Sequence, residues 1–592
     1  MIFGRYINKY YLKYCIPLLL GIVTLAVIDS VQLIVPNLYQ MVINGMNTGS
    51  VLVDGASVPF DMAFLLDRIC FPMILVIFCM VGGRFLWRIL FLGSSIRVEA
   101  SLREEMFRNA KSLSQEYYQI HKVGDLMSLF TNDLETVQEC FGWGIMMFCD
   151  ALLLGTLAIR KMILMNPLMT LFSMIPAVLL LVSSALVGSF EMKKWDVRQA
   201  AFSKLSDFSQ ESFSGLSVIK AFVKEGKELW NYQKINRDNE KANVDFTRVA
   251  VLFRIMVTFF VESVICVILG YGGYLVFSGV FNAGQLVEFI GYFTSIIWPI
   301  MAVSELVDMT ARGRASLKRV GRFLDARPTV TDREDVHDIG TAAGSIEFRH
   351  LTFRYPGSDR DVLKDVTMEI RPGEQIGICG RTGCGKTTLA DLILRTYNVG
   401  DGQLFLDGED VNTVSIRSLR ENCSYVPQDS FLFSDTIENN ILFGEEASSE
   451  QVVESAVSAD VDKDIQGFPD GYRTLLGERG VTLSGGQKQR ISIARALMKD
   501  APVLILDDSV SAVDTKTEKT ILERLSKLRK GKTTLMIAHR ISTIEKLDRI
   551  AFLEDGRLLA FGTHEELLRT CPPYQKMVTL QKLEEEGDLV HA

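Results

Sequence analysis

Six apolar stretches, each long enough to cross a bilayer, occupy the first 310 residues of this 592-residue chain. A spanning helix needs about 20 predominantly apolar residues. The stretches fall near 15–43, 64–93, 141–163, 168–190, 250–277 and 284–310. Hydrophobic residues make up 48% of the chain, yet 23% of residues are charged. Those proportions coexist because the two classes are segregated along the sequence. The expectation is an all-α six-helix transmembrane domain over 1–325, a polar linker over 326–345 containing Pro328, Gly340 and Gly344, and a soluble α/β domain over 346–592.

Charge sets the orientation. The loops at 44–63, 164–167 and 278–283 contain no Lys or Arg, although Arg68, Arg160 and Lys161 stand at their edges. The segments at 94–140 and 191–249 are long and far richer in both. The positive-inside rule therefore places the N-terminus, both long segments and the C-terminal domain in the cytoplasm of a multi-pass cell-membrane protein. Both long segments read as helical. They are expected to carry the membrane helices into the cytoplasm and to turn near Ser112–Ile120 and Ser214–Lys220. The opening residues, with Arg5, Lys9 and Lys13, read as an amphipathic surface helix rather than a secretory signal, because the following apolar run is too long and lacks a small-residue cleavage site. A net charge of −8 argues against a nucleic-acid partner. The ten cysteines show neither a C-x-x-C pair nor a zinc spacing, and no disulfide framework is implied.

The chemistry lies in the second domain. A short apolar strand ending at Cys379 runs into Gly380, Arg381, Thr382, Gly383, Cys384, Gly385, Lys386 and Thr387, and an apolar helix continues from Thr388. This is G-x-x-x-x-G-K-[ST] in its required strand–loop–helix setting. The loop's N–H groups and the helix N-terminus make an anion nest, Lys386 supplies charge to the β- and γ-phosphates, and Thr387 offers a hydroxyl to Mg²⁺. A second strand, Val503–Leu506, delivers Asp507 and Asp508 at its C-terminal end, where α/β sheets place ligand groups. Asp507 fits the Mg²⁺-associated acid. Between them, Leu483 and Ser484, Gly485, Gly486 and Gln487 open another helix. One nucleotide does not need two phosphate cradles in one domain, so the second serves a neighbour's nucleotide.

On these motifs the chain resembles an ABC half-transporter of the exporter type over essentially its whole length. The resemblance implies ATP and Mg²⁺ as cofactors and a second half-transporter as partner. It implies that Ser484–Gln487 complete the opposing domain's ATP site. Tyr355 resembles the aromatic that stacks on adenine. Gln428 resembles the Q-loop glutamine that contacts Mg²⁺, Ser511–Asp514 the D-loop, and His539 the switch histidine. Gly477–Gly480 resembles the exporter segment that touches the coupling helices.

One position departs from the family pattern. A Glu acting as general base normally follows the Asp507 equivalent, and this chain has Asp508. The missing methylene withdraws the carboxylate by about an ångström, and a misplacement on that scale can cost about 100-fold in rate. The expectation is a slow site on this chain's own loop, an intact Ser484–Gln487 segment serving a partner, and hence one subunit of a heterodimeric bacterial multidrug exporter. Asp29, Asp150 and Glu262 are ionisable groups at membrane depth, so they are candidates to meet an amphiphilic substrate; salt bridges to Arg84 or Arg88 are the structural alternative. A lipid flippase, a peptide exporter, a homodimer, an importer and an ATP-gated channel or regulatory subunit are the rival readings. Membrane lipid and a hydrophobic small molecule complete the expected partners.

Overall fold

The computed structural model describes residues 2–53, 56–477, 480 and 483–591. The chain divides into two units, Met1–Lys111 with Val123–Ala326, and Ser112–Lys122 with Arg327–Ala592. A short piece of the first long inter-span segment thus belongs to the second unit.

The first unit is helical. After the short helix Arg5–Lys13 come Cys15–Gln32, Val35–Thr48, Phe71–Ser112, Leu134–Met165, Pro167–Ser214, Glu225–Phe277 and Ala283–Asp325. The expected spans are helical, the first interrupted by a turn at Leu33–Ile34 and the second opening on the π-helical turn Leu65–Cys70. Among the described residues, five helical segments are long and apolar enough to cross a membrane, whereas the fourth expected span contributes the shorter apolar stretch Pro167–Leu180 at the start of a 48-residue helix. The connections between spans are tight because side chains close them. Asn166 accepts from the Met169 N–H at 2.9 Å and caps the helix that Pro167 begins. Asn282 and Gln285 form a reciprocal capping box at the start of the last long helix.

Glu225–Phe277 packs along Pro167–Ser214, and Ala283–Asp325 along Leu134–Met165. Leu154, Ala158, Met162, Ile268, Phe289 and Phe293 form part of the buried seam. Phe78, Val81 and Phe85 are exposed, as a helix face turned to lipid requires. Away from the expected spans, Arg319 donates to both carboxylate oxygens of Asp133, at 2.9 Å through Nε, so a fork-shaped ion pair ties two of the long helices. Both long inter-span segments break at short helices, Gln115–Ile120 and Leu216–Ala221. After the second, Val223 takes a left-handed backbone at φ 52° before the next long helix begins.

The second unit has two sheets. The larger runs Arg557–Gly562, Arg549–Glu554, Gln375–Gly380, Thr533–Ile537, Val503–Asp507, Cys423–Val426, with all neighbours parallel except the first pair. Its inner strands are buried on both faces and accordingly read as continuous apolar runs, unlike half-buried alternating strands. The smaller antiparallel sheet orders Leu363–Ile370, Ile346–Phe353, Leu404–Leu406, Glu409–Asp410.

A buried cation holds one end of the larger sheet. Arg529 is 3% exposed and donates to the carbonyls of Ala501 at 2.6 Å, Pro502 at 2.8 Å and Thr533 at 3.0 Å. It thereby joins the starts of two strands that pair with each other. Arg529→Ala leaves those carbonyls without this donor and is expected to cost about 1–3 kcal/mol for each that stays buried. Calorimetry of the purified chain should show the second unit's transition lowered, and Arg529→Lys should recover only part of it. An unchanged transition in Arg529→Ala would contradict this role.

Candidate functional site

Four parallel strands end side by side, and each hands on a candidate residue. Gln375–Gly380 runs into the glycine-rich loop, Thr533–Ile537 precedes His539, Val503–Asp507 ends in Asp507 and Asp508, and Cys423–Val426 precedes Gln428. The carboxyl edge of a parallel sheet is where such folds bind ligands. The fold thus gathers residues that lie up to 159 positions apart (Gly380 to His539) along one sheet edge.

Two of the loop's glycines, Gly380 and Gly385, are dictated by space, and Gly383 by its left-handed φ of +81°. A Cβ on Gly380, whose φ is +149°, would stand 2.1 Å from the Leu553 carbonyl oxygen. On Gly385, at φ +98°, it would stand 2.7 Å from the Leu363 side chain. The helix Lys386–Ile393 starts directly at the loop, which leaves its first N–H groups free for an anion. Lys386 is buried, and its Nζ donates to the carbonyls of Gly380 at 2.9 Å and Arg381 at 3.0 Å. The ammonium is held by the loop it serves. Burial pushes the Cys384 thiol above its ordinary range against the pull of Lys386, so Cys384 is a packing group and a poor nucleophile. Arg381 and Thr382 are exposed on the loop, as is Gly383.

Asp507 is 1% exposed. Burial raises its carboxyl, the neighbouring Asp508 adds to the rise, and the Thr387 hydroxyl, Tyr425 and Lys386 pull it back. The Thr387 hydroxyl beside a carboxylate is an all-oxygen donor pair of the kind Mg²⁺ accepts. Among the described residues no three His, Cys, Asp or Glu side chains form a metal cluster. An ion bound here must therefore complete its shell with ligand or water oxygens, as Mg²⁺ does with a triphosphate.

Asp508 adopts a left-handed backbone, φ +47°. Its N–H donates to the Ile537 carbonyl at 2.9 Å, and its carbonyl accepts from Ser511 Oγ at 2.8 Å. The backbone is fixed and the side chain is short. His539 is half-buried, and its carbonyl accepts from Gln581 Nε2 at 2.7 Å. Arg540 beside it meets Glu518 at 3.4 Å, on the helix that Asp514 caps. Gln428 is exposed. Tyr355 is half-buried, with its hydroxyl 2.9 Å from Thr388 Oγ1.

Ser484 caps the helix Gly485–Lys499 through a reciprocal box with Gln487. Ser484 and Gly485 are exposed. Among the described residues no hydrogen bond joins Ser484–Gln487 to the loop at Gly380–Thr388. Glu478 and Arg479 of the Gly477–Gly480 segment lie outside the described residues.

At membrane depth Asp29 is buried, and Asp150 accepts from Trp298 Nε1 at 2.8 Å. The two carboxyls are neighbours, with Arg84 close by, whereas Arg88 lies over the Trp87 ring at 5.5 Å. Neither arginine is a salt-bridge partner of Asp150: an indole is its donor. Glu262 is exposed on its helix. Sequence reasoning missed Tyr425, whose hydroxyl reaches Asp507 at 3.5 Å, and Gln489, whose side chain accepts from the Ala512 N–H at 3.0 Å. Tyr425 stands three residues before Gln428 in the same segment, which is the signal that could have found it; Gln489 carries no such signal.

Comparison with known proteins agrees with this layout. Residues 18–300 match the model of the ABC transporter transmembrane region, and residues 363–511 match the ABC transporter model. The chain is 35% identical to a probable multidrug resistance ABC transporter ATP-binding/permease protein, YheI, of Bacillus subtilis (strain 168), over 99% of this chain and 98% of that protein. It is 33% identical to the multidrug resistance-like ATP-binding protein MdlA of Escherichia coli (strain K12), over 95% and 94%. It is 34% identical to an ATP-dependent lipid A-core flippase of Syntrophus aciditrophicus (strain SB), over 87% and 85%. A solved bacterial Atm1-family ABC exporter with ATP bound superposes with a TM-score of 0.76 at 26% identity, covering 97% of this chain and 98% of that one. The chain belongs to the ABC transporter family, as an exporter-type half-transporter with a helical transmembrane region followed by one ATP-binding domain. It is a multi-pass membrane protein and an ATPase coupled to export.

Lys386→Ala removes the buried ammonium and is expected to abolish labelling of this chain by a photoreactive ATP analogue. Asp507→Asn should retain some labelling but lose its stimulation by Mg²⁺. Wild-type labelling in both variants would contradict the placement of the site.

Proposed function

We propose that this chain is one half of a heterodimeric exporter of hydrophobic or amphiphilic compounds, with a slow ATP site on its own loop. Residues 1–325 form the transmembrane domain, 326–345 the linker and 346–592 the nucleotide-binding domain, with the N-terminus and that domain cytoplasmic. In its own site Gly380–Thr388 cradle the triphosphate and Tyr355 stacks on adenine. Thr387, Asp507 and Gln428 hold Mg²⁺, and His539 faces the γ-phosphate. Asp508 polarises water poorly. Ser484, Gly485, Gly486 and Gln487 complete the partner's fast site.

The observation that carries this reading is Asp508 itself. A left-handed backbone pinned by hydrogen bonds at its N–H and its carbonyl leaves a short carboxylate little freedom to advance. The exposed Ser484 and Gly485 supply the other half of the argument, since an exposed anion cradle with no hydrogen bond to its own loop suits another chain. Two unpartnered apolar features also favour a paired assembly. The short helix Leu216–Ala221 carries exposed Leu216 and Val218, with Phe213 and Phe222 exposed at its flanks. A groove of about 910 Å³ is lined by Phe431, Phe433 and Phe443, with Arg495 4.8 Å over the Phe443 ring. We place the partner's short helix in that groove.

The neighbouring Asp29 and Asp150 carboxyls support an amphiphile with a cationic head as substrate. Lipid translocation is the rival with a finding behind it, because flippases stand among the relatives. Reconstitution with a labelled lipid and with a cationic dye separates the two.

The assembly is tested by ATPase measurements on the purified single chain and the co-expressed pair. In the pair, Asp508→Ala is expected to leave most activity, whereas Ser484→Arg should remove about 100-fold or more by displacing a group from the fast site. The chain alone should hydrolyse ATP slowly. Robust substrate-stimulated turnover by the single chain, lost on Asp508→Ala, would establish a homodimer with Asp508 as a working base.

A further inference from the structure

The strand that leads to His539 loses its neighbours just before that residue. Thr533–Ile537 lies between two parallel strands, and the pattern runs one residue further, with the Ala538 N–H donating to the Ile378 carbonyl at 3.1 Å. His539 and Arg540 then lead into the short helix Ile541–Ile544, to which Arg540 gives no side-chain cap. The His539 carbonyl and the Ile541 N–H therefore need partners from elsewhere in the chain. Gln581 supplies both. Its Nε2 donates to the His539 carbonyl at 2.7 Å, and its Oε1 accepts from the Ile541 N–H at 2.8 Å. One of those groups only accepts and the other only donates, so the amide can face just one way. The side chain acts as a neighbouring strand's peptide group would, bridging the backbone on both sides of Arg540.

Gln581 is itself held from behind. It stands on helix Pro572–His591, seven residues after Tyr574 and three after Val578, so the three share one face. Tyr574 and Val578 are buried in the core of the second unit. The Tyr574 hydroxyl lies 2.7 Å from His564 Nδ1, and its ring meets Phe552 edge to face at 5.7 Å between centroids. Phe552 belongs to the strand paired with Gln375–Gly380, which carries the glycine-rich loop. An amphipathic helix would continue this stripe with another apolar residue at 581. It has an amide there, where the stripe reaches the His539 backbone. Glu518 anchors the same segment through Arg540 and Thr543, whereas Gln581 holds His539 by its own carbonyl.

We propose that Gln581 is a positioning residue for His539, so that helix Pro572–His591 sets how firmly this histidine holds the γ-phosphate in the chain's own ATP site. The proposal rests on the assignment of His539 to that phosphate. Loss of the amide frees the His539 backbone without removing the imidazole. ADP has no γ-phosphate, so a loosened His539 weakens the hold on ATP and leaves ADP as it was. General damage to the fold would weaken both.

Equilibrium binding of MgATP and MgADP to the full-length chain in lipid nanodiscs tests this. Gln581→Met keeps the side chain's length and removes the amide. It is expected to lower the preference for ATP over ADP about fivefold, the scale of one lost neutral hydrogen bond, with ADP affinity within about twofold of wild type. Gln581→Glu keeps the acceptor for Ile541 but sets a carboxylate oxygen against the His539 carbonyl, and should lose at least as much. His539→Ala should lower the preference further, and adding Gln581→Met to it should have no additional effect, because the clamp acts through the histidine. If either Gln581 variant keeps the wild-type preference while His539→Ala loses it, or if both Gln581 variants weaken the two nucleotides alike, the clamp is overturned and the histidine assignment stands. If His539→Ala keeps the preference, the assignment falls and the clamp falls with it.

Discussion

The nucleotide-binding unit depends on how closely the backbone approaches itself where the central strand ends. Gly380 sits under the Leu553 carbonyl of the adjacent strand with no room for a Cβ. The strand must therefore turn there, and the next helix must start with its N–H groups uncovered. Lys386, Thr387 and the carboxylate of Asp507 are arranged around that turn. The neighbouring strand ends bring His539 and Gln428 to the same edge. A loop with side chains at its glycines would have to move outward, and the lysine would lose the two carbonyls that aim it.

From that edge, contacts run toward the second cradle. Gln489, on the helix that Ser484 caps, accepts from the Ala512 N–H, and its amide lies 3.5 Å from both the Asp508 carbonyl and Ser511 Oγ. Glu518, on the helix capped by Asp514, holds Arg540 beside His539 and accepts from Thr543. In the proposed assembly one chain's catalytic position and its Ser484–Gln487 segment serve different nucleotides. The Gln489 contacts then join the two sites mechanically within a single chain. A substitution at Asp508 that alters only the carboxylate leaves those backbone contacts in place, which is how one site can lose speed while the other keeps its geometry.

Legibility from sequence followed the range of the interactions. The long helices could be read because a membrane demands a length of continuous apolar chain, and the loop, the strand-end aspartates and the Ser484–Gln487 segment because each is contiguous. The fourth expected span lies wholly inside one helix. The segment near 168–190 is one 48-residue helix containing Pro176, with Pro167–Leu180 as its described apolar part. Contacts across long separations left no trace in the sequence. Asp133 and Arg319 are 186 residues apart, and Asp150 finds Trp298 rather than an arginine. No periodicity or motif encodes such pairs. They exist only once the fold has formed.

The central claim is that the two ATP sites of the assembled exporter differ because this chain carries Asp508. Vanadate trapping with a photoreactive ATP analogue in the purified pair tests it most directly, since only a site that hydrolyses retains diphosphate with vanadate. The account predicts trapped diphosphate on the partner's phosphate loop, and uncleaved triphosphate on this chain's Gly380–Thr388. Equal diphosphate trapping on both chains would contradict it.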